Sequence, residues 1–420
     1  MPQSPPLENG TPSHDADPGP TTGFGALGYR NFRLYFAGHT ISLVGWSMHS
    51  VALPWLVLLL TDSPFYVGLV GMLGTLPMLL FSLYGGVVAD RFPRRRVLLV
   101  TQSAAMLTAL LLAAIVLTNR VALVHVMIVA TLFGLTAAFD IPGRQAFVAE
   151  LVGKRELMSA VALNSLSFNS SRVVGPGVAG VIIGVAGVGV CFLLNGISYL
   201  ALIGALLLMR FAPQPRRGDH TSRSTVWEGL AYVTHDRNMR TLVLMIAIAS
   251  VFGLPFHVML PVLARNVMGL GATEFGWMVS ASAGGAVVAA LGLATLGHRI
   301  PKGRVVTVAA PLFGIAVASL GITRSLGALL PLLVLTGFFQ VVLTATTNTM
   351  LQSLVGDELR GRVMAVYSLA FLGLMPLGTL MAGIVAERWG VASWLTGSGL
   401  ICTGLALIAP RTAPSLRAMG

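Results

Sequence analysis

Only a few polar side chains lie within the apolar segments of this chain, where they could contact a ligand. Charged residues occupy 10% of the 420 positions and hydrophobic residues 55%. Arg172 lies well inside a long apolar segment, where a guanidinium costs at least about 2.5–3.5 kcal/mol unless it has a partner or lines water. The position of Arg172 therefore predicts one of two roles. It lines a cavity and binds an anionic or polar group, or it forms a structural pair with a carboxylate or a helix carbonyl.

Histidine is the titratable residue nearest the centre of the first apolar segment. The ordinary pKa of His49 is about 6.5, so its charge can change near neutral pH. It is a candidate for proton coupling, and the alternative is a hydrogen-bonded packing residue. Asp62 and Asp140 fall at predicted helix ends, so we expect no carboxylate near a helix centre. Asp140 is the alternative coupling residue.

A short basic segment lies between two apolar segments in each half of the chain. Residues 85–96 read Gly-Gly-Val-Val-Ala-Asp-Arg-Phe-Pro-Arg-Arg-Arg, and residues 297–304 read Gly-His-Arg-Ile-Pro-Lys-Gly-Arg. Basic loops at corresponding places in two repeated helix bundles indicate a secondary transporter. The corresponding pairs are Arg91 with Arg299, Pro93 with Pro301, Arg94 with Lys302 and Arg96 with Arg304.

The apolar pattern supplies the elements that position these residues. A membrane-spanning helix needs about 20 apolar residues, and the sequence contains twelve such runs. We predict an all-α membrane protein of twelve transmembrane helices in two six-helix bundles. The predicted helices are 31–60, 66–89, 97–118, 121–142, 158–183, 187–209, 240–265, 273–298, 304–322, 326–352, 361–386 and 390–409.

The remaining segments predict the domain organisation and the orientation. Of the 27 Lys and Arg residues, four fall in loops on one side and Arg172 lies within a helix. This leaves 22 on the other side, so both termini are expected in the cytosol. The predicted divisions are a disordered tail (1–29), a first bundle (30–209), a linker with a short interfacial helix (210–239), a second bundle (240–410) and a second tail (411–420).

Polar residues on the first, fifth, seventh, tenth and eleventh predicted helices are candidates for a substrate cavity. Each one alone is better explained by a hydrogen bond between helices. Together they suit a mostly apolar cavity with weak selectivity. The candidates are Trp46, His49, Asn164, Phe168, Asn169, Arg172, His257, Gln340, Thr344, Asn348 and Tyr367.

Several classes of function are excluded. The net charge of +12 comes from bases between apolar runs, which is typical of inner membrane loops rather than of a nucleic-acid surface. The two lysines lie outside any phosphate-binding G-x-x-x-x-G-K-[ST] motif, and there is no G-x-S-x-G motif and no Cys/His ligand spacing. We expect no enzyme activity, no metal and no cofactor.

These motifs resemble the major facilitator superfamily. Residues 85–96 are similar to its loop between the second and third helices. Residues 142–152, 162–165, 172–176 and 359–364 resemble its enterobactin-exporter and macrolide-efflux branch, with 142–152 expected as a loop after the fourth helix. The glycine-proline motif of exporters is matched in part, since Leu166 stands where its first glycine is expected.

The resemblance implies how the transporter would work. In the family, the loop carboxylate docks against the eleventh helix and latches the two bundles on the cytosolic side. The latch would comprise Gly86, Asp90, Arg91, Arg94 and Arg299, with Glu150 and Asp140 as partners for the loop arginines.

The function implied is export of an amphipathic small molecule, such as a drug, siderophore or metabolite, by alternating access. Protons would be the counter-ion, the protein would be a functional monomer, and the cytoplasmic membrane would be its location. The alternatives are import of an organic anion through Arg172, and a receptor or scaffold on the same fold.

Overall fold

The computed structural model of the protein describes residues 24–153, 155–210, 226–297 and 300–412. In this part of the chain, twelve helices are long and apolar enough to cross a membrane. A helix can span the bilayer because it satisfies its backbone hydrogen bonds internally. The prediction of an all-α fold with twelve spanning helices is confirmed. The helices are α1 (Arg30–Thr61), α2 (Pro64–Arg91), α3 (Arg94–Leu117), α4 (Leu123–Val152), α5 (Leu157–Ala186), α6 (Val188–Leu208), α7 (Arg237–Val267), α8 (Ala272–Leu296), α9 (Lys302–Ile322), α10 (Leu326–Leu354), α11 (Glu358–Trp389) and α12 (Val391–Ile408).

The two halves pack in the same way. In the first bundle α2 packs against α4 and α3 packs against α6, and in the second α8 packs against α10 and α9 against α12. The bundles meet where α5 packs on α8 and α2 packs on α11. This repeated pairing agrees with the repeat of the basic segments in the sequence.

The hydrophobic core joins the bundles at one end only. One core cluster contains the second bundle together with the end of the first bundle away from the basic segments, and there Trp55 of α1 stacks on Phe275 of α8 with ring centroids 5.5 Å apart. The other end of the first bundle has its own cluster around Phe32, Tyr35 and Phe147. The end with the Trp55–Phe275 contact is called the closed end below.

Two helices are interrupted by wider, π-helical turns. These turns lie at Ala249–Gly253 and Leu263–Val267 in α7 and at Leu369–Gly373 in α11. The Ser250 hydroxyl donates to the Phe371 carbonyl at 2.6 Å, which ties the first of these turns to the last. Such turns often lie at functional sites. The predicted cavity residue His257 follows the first turn, and Tyr367 precedes the last.

The fourth helix is longer than predicted. It does not end at Pro142 but continues to Val152, because a proline removes only one hydrogen bond of the helix and neighbouring helices can support the bend. Residues 142–152 are therefore helical, and the prediction of a loop there is wrong. The first basic segment does contain the predicted loop, but the loop is shorter than expected. The helix α2 runs to Arg91 and α3 starts at Arg94, which leaves only Phe92 and Pro93 between them.

A short helix, Val226–His235, precedes the second bundle. Val233 is buried, and a Cβ at Gly229 would lie 2.5 Å from the Arg362 carbonyl oxygen. The helix thus packs closely on the start of α11. The predicted tail residues 1–23 and 413–420 and the linker residues 211–225 lie outside the described residues.

Candidate functional site: the interface between the two bundles

Polar contacts join the two bundles at the closed end. Arg265 of α7 donates to the Leu58 carbonyl of α1. The Glu387 carboxylate of α11 accepts from the Ser63 hydroxyl at 2.7 Å and from the Phe65 N–H at 3.1 Å. It thereby satisfies free N–H groups at the start of α2, where the helix dipole favours a negative charge. These contacts link α1 and α2 to α7 and α11.

Three of the predicted cavity residues form one cluster on the first bundle. Trp46 of α1 stacks on Phe168 of α5 with ring centroids 6.3 Å apart, and the Arg172 guanidinium carbon lies 5.7 Å from the centre of the Phe168 ring. Trp46 and Phe168 are each 41% exposed, although both are large and aromatic. In the described part of the chain, Arg172 has no carboxylate partner. Exposed aromatic faces beside a free cation can bind an amphipathic molecule that carries a polar or anionic group.

A second group of predicted residues lies on the second bundle. The His257 Nε2 atom of α7 is 3.0 Å from the Gln340 Oε1 atom of α10. His257 lies near enough to Arg172 of the first bundle for the two groups to interact electrostatically. The Tyr367 hydroxyl donates to the Thr344 carbonyl at 3.2 Å. These contacts link α10 to α7 and to α11 within the second bundle.

Two of the three predicted asparagines form hydrogen bonds through their side chains. The Asn169 amide donates to the Ser165 carbonyl at 2.8 Å, and the Asn348 oxygen accepts from Gln352 at 2.6 Å. Asn348 also forms a side-chain hydrogen bond with Tyr367 of α11. The Asn164 side-chain oxygen is buried and has no hydrogen-bond partner among the described residues.

His49 does not line the space between the bundles in this conformation. It is 5% exposed, and it packs inside the first bundle between Phe133 and Phe192, with ring centroids 4.3 and 5.2 Å away. Both of its ring nitrogens are buried without a hydrogen-bond partner in the described residues. The cavity assignment of His49 is corrected for this state, and its coupling role stays a prediction.

Asp140 is not at a helix end, as predicted from the sequence, but well inside α4. It is 3% exposed and accepts from the Thr101 hydroxyl at 2.9 Å and from the Gln102 amide at 2.7 Å. Its other oxygen pairs with Arg144 one turn further along the helix, and Arg144 also contacts the His39 ring at 3.3 Å.

The sequence did not predict the Asp140–Arg144 pair, because the predicted fourth helix ends at residue 142 whereas the helix in the structure continues to Val152. Arg144 was then counted as a loop residue, and Arg172 as the one base inside a helix. The available signal was the spacing of Asp140 and Arg144, which are four residues apart and therefore on one helix face.

Residues 21–417 match the transmembrane secretion effector family. The chain belongs to this family. It is a multi-pass membrane transporter of the major facilitator type and not an enzyme.

Named relatives lie in the branch that the sequence motifs indicate. The transporter is 30% identical to the multidrug efflux pump Tap of Mycobacterium tuberculosis, over 85% of this chain and 88% of that protein. It is 26% identical to the staphyloferrin A transporter of Staphylococcus aureus, with 88% and 92% covered. It is 24% identical to the enterobactin exporter EntS of Escherichia coli, with 90% and 91% covered. The predicted branch is confirmed.

A solved structure supports the fold. The transporter superposes with a TM-score of 0.74 on a bacterial homologue of the human lysosomal transporter Spinster, which was crystallised in an inward-facing, occupied conformation. The superposition covers 93% of this chain and 98% of that one at 13% identity. At this identity the likeness shows the major facilitator fold and nothing more.

Among the described residues, Asp90 makes none of the contacts that the predicted latch requires. Asp90 is exposed and forms no hydrogen bond or ion pair in the described part of the chain. Arg94 instead pairs with Glu150 at 3.4 Å and donates to the Ala146 carbonyl at 3.0 Å, as predicted for a loop arginine. A Cβ at Gly86 would meet nothing within 4 Å. Arg91 is exposed, and Arg299 lies outside the described residues.

Asp90→Ala is expected to reduce transport while leaving the stability of the conformation seen here unchanged. The exposed carboxylate stabilises nothing in this state, so the free energy of unfolding should change by less than about 0.5 kcal/mol. In the latched state the loss should slow transport by up to about fivefold, corresponding to roughly 1 kcal/mol for a carboxylate at a helix N-terminus. Transport assays and thermal unfolding of Asp90→Ala, with Arg96→Ala as the control, test this. Wild-type transport by Asp90→Ala would remove Asp90 from the mechanism.

Proposed function

We propose that this transporter exports an amphipathic small molecule across the plasma membrane by alternating access, as a monomer coupled to protons. The observation that carries the proposal is the cluster of exposed aromatic rings beside an unpaired guanidinium among the described residues of the first bundle. Trp46, Phe168 and Arg172 form this cluster, and His257 hydrogen-bonds with Gln340 on the second bundle. The aromatic faces would hold the apolar part of the substrate, and Arg172 with the polar groups of the second bundle its polar part.

The conformation supports alternating access. The bundles are joined at one end by the Glu387 and Arg265 contacts, whereas Asp90 at the other end is exposed and unpaired among the described residues. With both termini in the cytosol, this is the inward-open state, in which substrate enters from the cytosol. Export then requires that the latch forms at Asp90 and that the closed end opens.

The direction of transport is proposed from the relatives and tested in cells. Tap is named as a multidrug efflux pump and EntS as an enterobactin exporter, which favours export. A strain that overproduces the transporter should accumulate less of a substrate found in a panel of amphipathic dyes and drugs. Arg172→Gln should lose export of the anionic members of the panel and keep the neutral ones, whereas Arg120→Gln, in a loop, should behave as wild type. Higher accumulation on overproduction would favour the organic-anion importer instead.

The orientation is a separate prediction. A reporter that is active only in the cytosol should work when fused after residue 96, 217, 304 or 417, and should fail after residue 62, 120 or 324. The reason is the excess of basic residues on one side. Cytosolic activity of the fusion at residue 120 would break the assigned order of α3 and α4.

Two substitutions distinguish His49 from Asp140 as the residue that couples transport to protons. His49 is enclosed by aromatic rings, and a change between dry and wet surroundings would change its proton affinity. We expect His49→Gln to weaken flux driven by a pH gradient while substrate binding survives. Asp140→Asn is the matched test of the buried carboxylate. Full gradient-driven flux in His49→Gln would end the histidine assignment, and loss in Asp140→Asn alone would move coupling to Asp140.

A further inference from the structure

A large apolar groove lies on the second bundle, and its lining among the described residues includes none of the predicted cavity residues. Its volume is about 820 Å³, and it is lined by α8, α9 and α10. Both α8 and α9 pack on α10, so α10 forms the floor and the other two form the walls. The rim residues Leu296 and Val308 are apolar and 51% and 57% exposed. In a membrane protein such a rim faces lipid, so the groove opens sideways into the bilayer.

Two basic residues stand at one end of this groove. Lys302 and Arg304 both line it, within the first turn of α9 and next to the basic segment that ends α8. In the described part of the chain, neither side chain forms a hydrogen bond or an ion pair. Two unpaired cations at the end of an apolar groove complement a molecule with a negative head and an apolar tail. At the membrane surface, that is the chemistry of an anionic phospholipid.

A buried hydroxyl in the floor supports the same occupant. Thr346 is 4% exposed and lines the groove, yet its Oγ1 atom has no hydrogen-bond partner in the described residues. The nearby Thr344 and Thr349 hydroxyls instead donate to carbonyls of their own helix. Thr346 lines the same groove as Lys302 and Arg304, so its hydroxyl is a candidate donor to an ester oxygen of a lipid whose headgroup they bind.

We propose that this groove is a binding site for one anionic phospholipid of the leaflet on the side of the basic loops. Lys302 and Arg304 bind the phosphate, the Thr346 hydroxyl donates to an ester oxygen, and the acyl chain lies along the apolar walls. Under the proposed orientation this is the cytosolic leaflet. The lipid would be a lasting partner of the second bundle, distinct from the transported molecule.

The test measures lipid retained by the purified, full-length transporter. The protein is exchanged through vesicles of equal phosphatidylglycerol and phosphatidylcholine, washed in detergent, and its bound lipid is counted by mass spectrometry. Wild type should prefer phosphatidylglycerol by about 25-fold, since each basic residue near the surface contributes about 1 kcal/mol, or about fivefold. Lys302→Ala/Arg304→Ala should bring the ratio close to one. The control Arg33→Ala/Arg96→Ala removes the same charge elsewhere and should keep the wild-type ratio.

A second variant fills the groove without touching the charges. A Cβ at Gly292 would meet nothing within 4 Å, so Gly292→Leu can place its side chain in the groove and should fold. It should lower retention of both lipids by roughly tenfold, because excluding even two methylenes of a chain has about this effect. Equal retention of both lipids by wild type would overturn the proposal. So would wild-type retention in both the charge variant and Gly292→Leu. Displacement of the retained lipid by transported substrate would also overturn it, since the groove would then be a substrate site.

Discussion

Replacing Asp140 by Ala is expected to lower the free energy of unfolding of the first bundle by about 3–5 kcal/mol, because one partner of a buried ion pair is removed. The Asp140 carboxylate is the counter-ion of Arg144. Without it, the guanidinium keeps its contact with the His39 ring but has no carboxylate partner among the described residues. Arg144→Ala should cost less. In that variant the carboxylate still accepts from Thr101 and Gln102.

Thermal and denaturant unfolding of the purified transporter in detergent measures this difference. The double variant Asp140→Ala/Arg144→Ala should lose less than the sum of the single variants, since each single variant leaves a buried group without its partner. Glu150→Ala is the matched control, because it breaks the more exposed pair with Arg94 and should cost no more than about 1 kcal/mol. Equal losses for Asp140→Ala and Glu150→Ala would contradict the assignment of a buried ionic network.

Gly180→Leu is expected to reduce transport by at least about tenfold, because about 1.4 kcal/mol of hindrance at one step suffices for that factor. A Cβ at Gly180 would lie 2.6 Å from the Ala272 carbonyl oxygen of α8, which is well inside contact distance. The neighbouring contact from Gly276 to Pro176 is equally tight. A leucine at Gly180 would hold α5 away from α8, so the closed end could not form.

Two measurements on this variant separate a blocked cycle from a misfolded protein. Spin-label distances between α5 and α8 at the closed end should lengthen, while unfolding of the first bundle should be unchanged. Gly204→Leu is the matched control, since a Cβ there meets nothing within 4 Å, and it should transport as wild type. If Gly180→Leu transports normally, closure of this end is not part of the cycle.

Much of the fold could be predicted because the bilayer imposes a simple pattern. Apolar runs of fixed length and interrupting charges locate eleven of the twelve helices closely, for example the predicted 326–352 against Leu326–Leu354. The fourth helix shows the limit. Its second half carries Asp140, Arg144 and Glu150. These polar residues resemble a helix end and a loop, because polarity alone does not reveal that neighbouring helices satisfy them.

The site could be predicted only as a set of candidate residues. The sequence indicates that Trp46, Phe168 and Arg172 are unusual in apolar helices, and the structure places them together. It does not reveal that His49 points into its own bundle, since one helical turn contains positions that face either way. Contacts such as His257 with Gln340 depend on how α7 bends at its irregular turn, and periodicity does not encode that bend.

Gradient-driven flux by the purified transporter in liposomes tests the central claim most directly. A fluorescent amphipathic substrate is placed on the side of the basic loops, and a proton gradient is applied in the opposite direction. We predict net movement of substrate away from the basic loops that depends on the gradient and is lost in Gly180→Leu but not in Gly204→Leu. Binding of substrate without any flux in either direction would contradict it, and would instead support a receptor on a transporter fold.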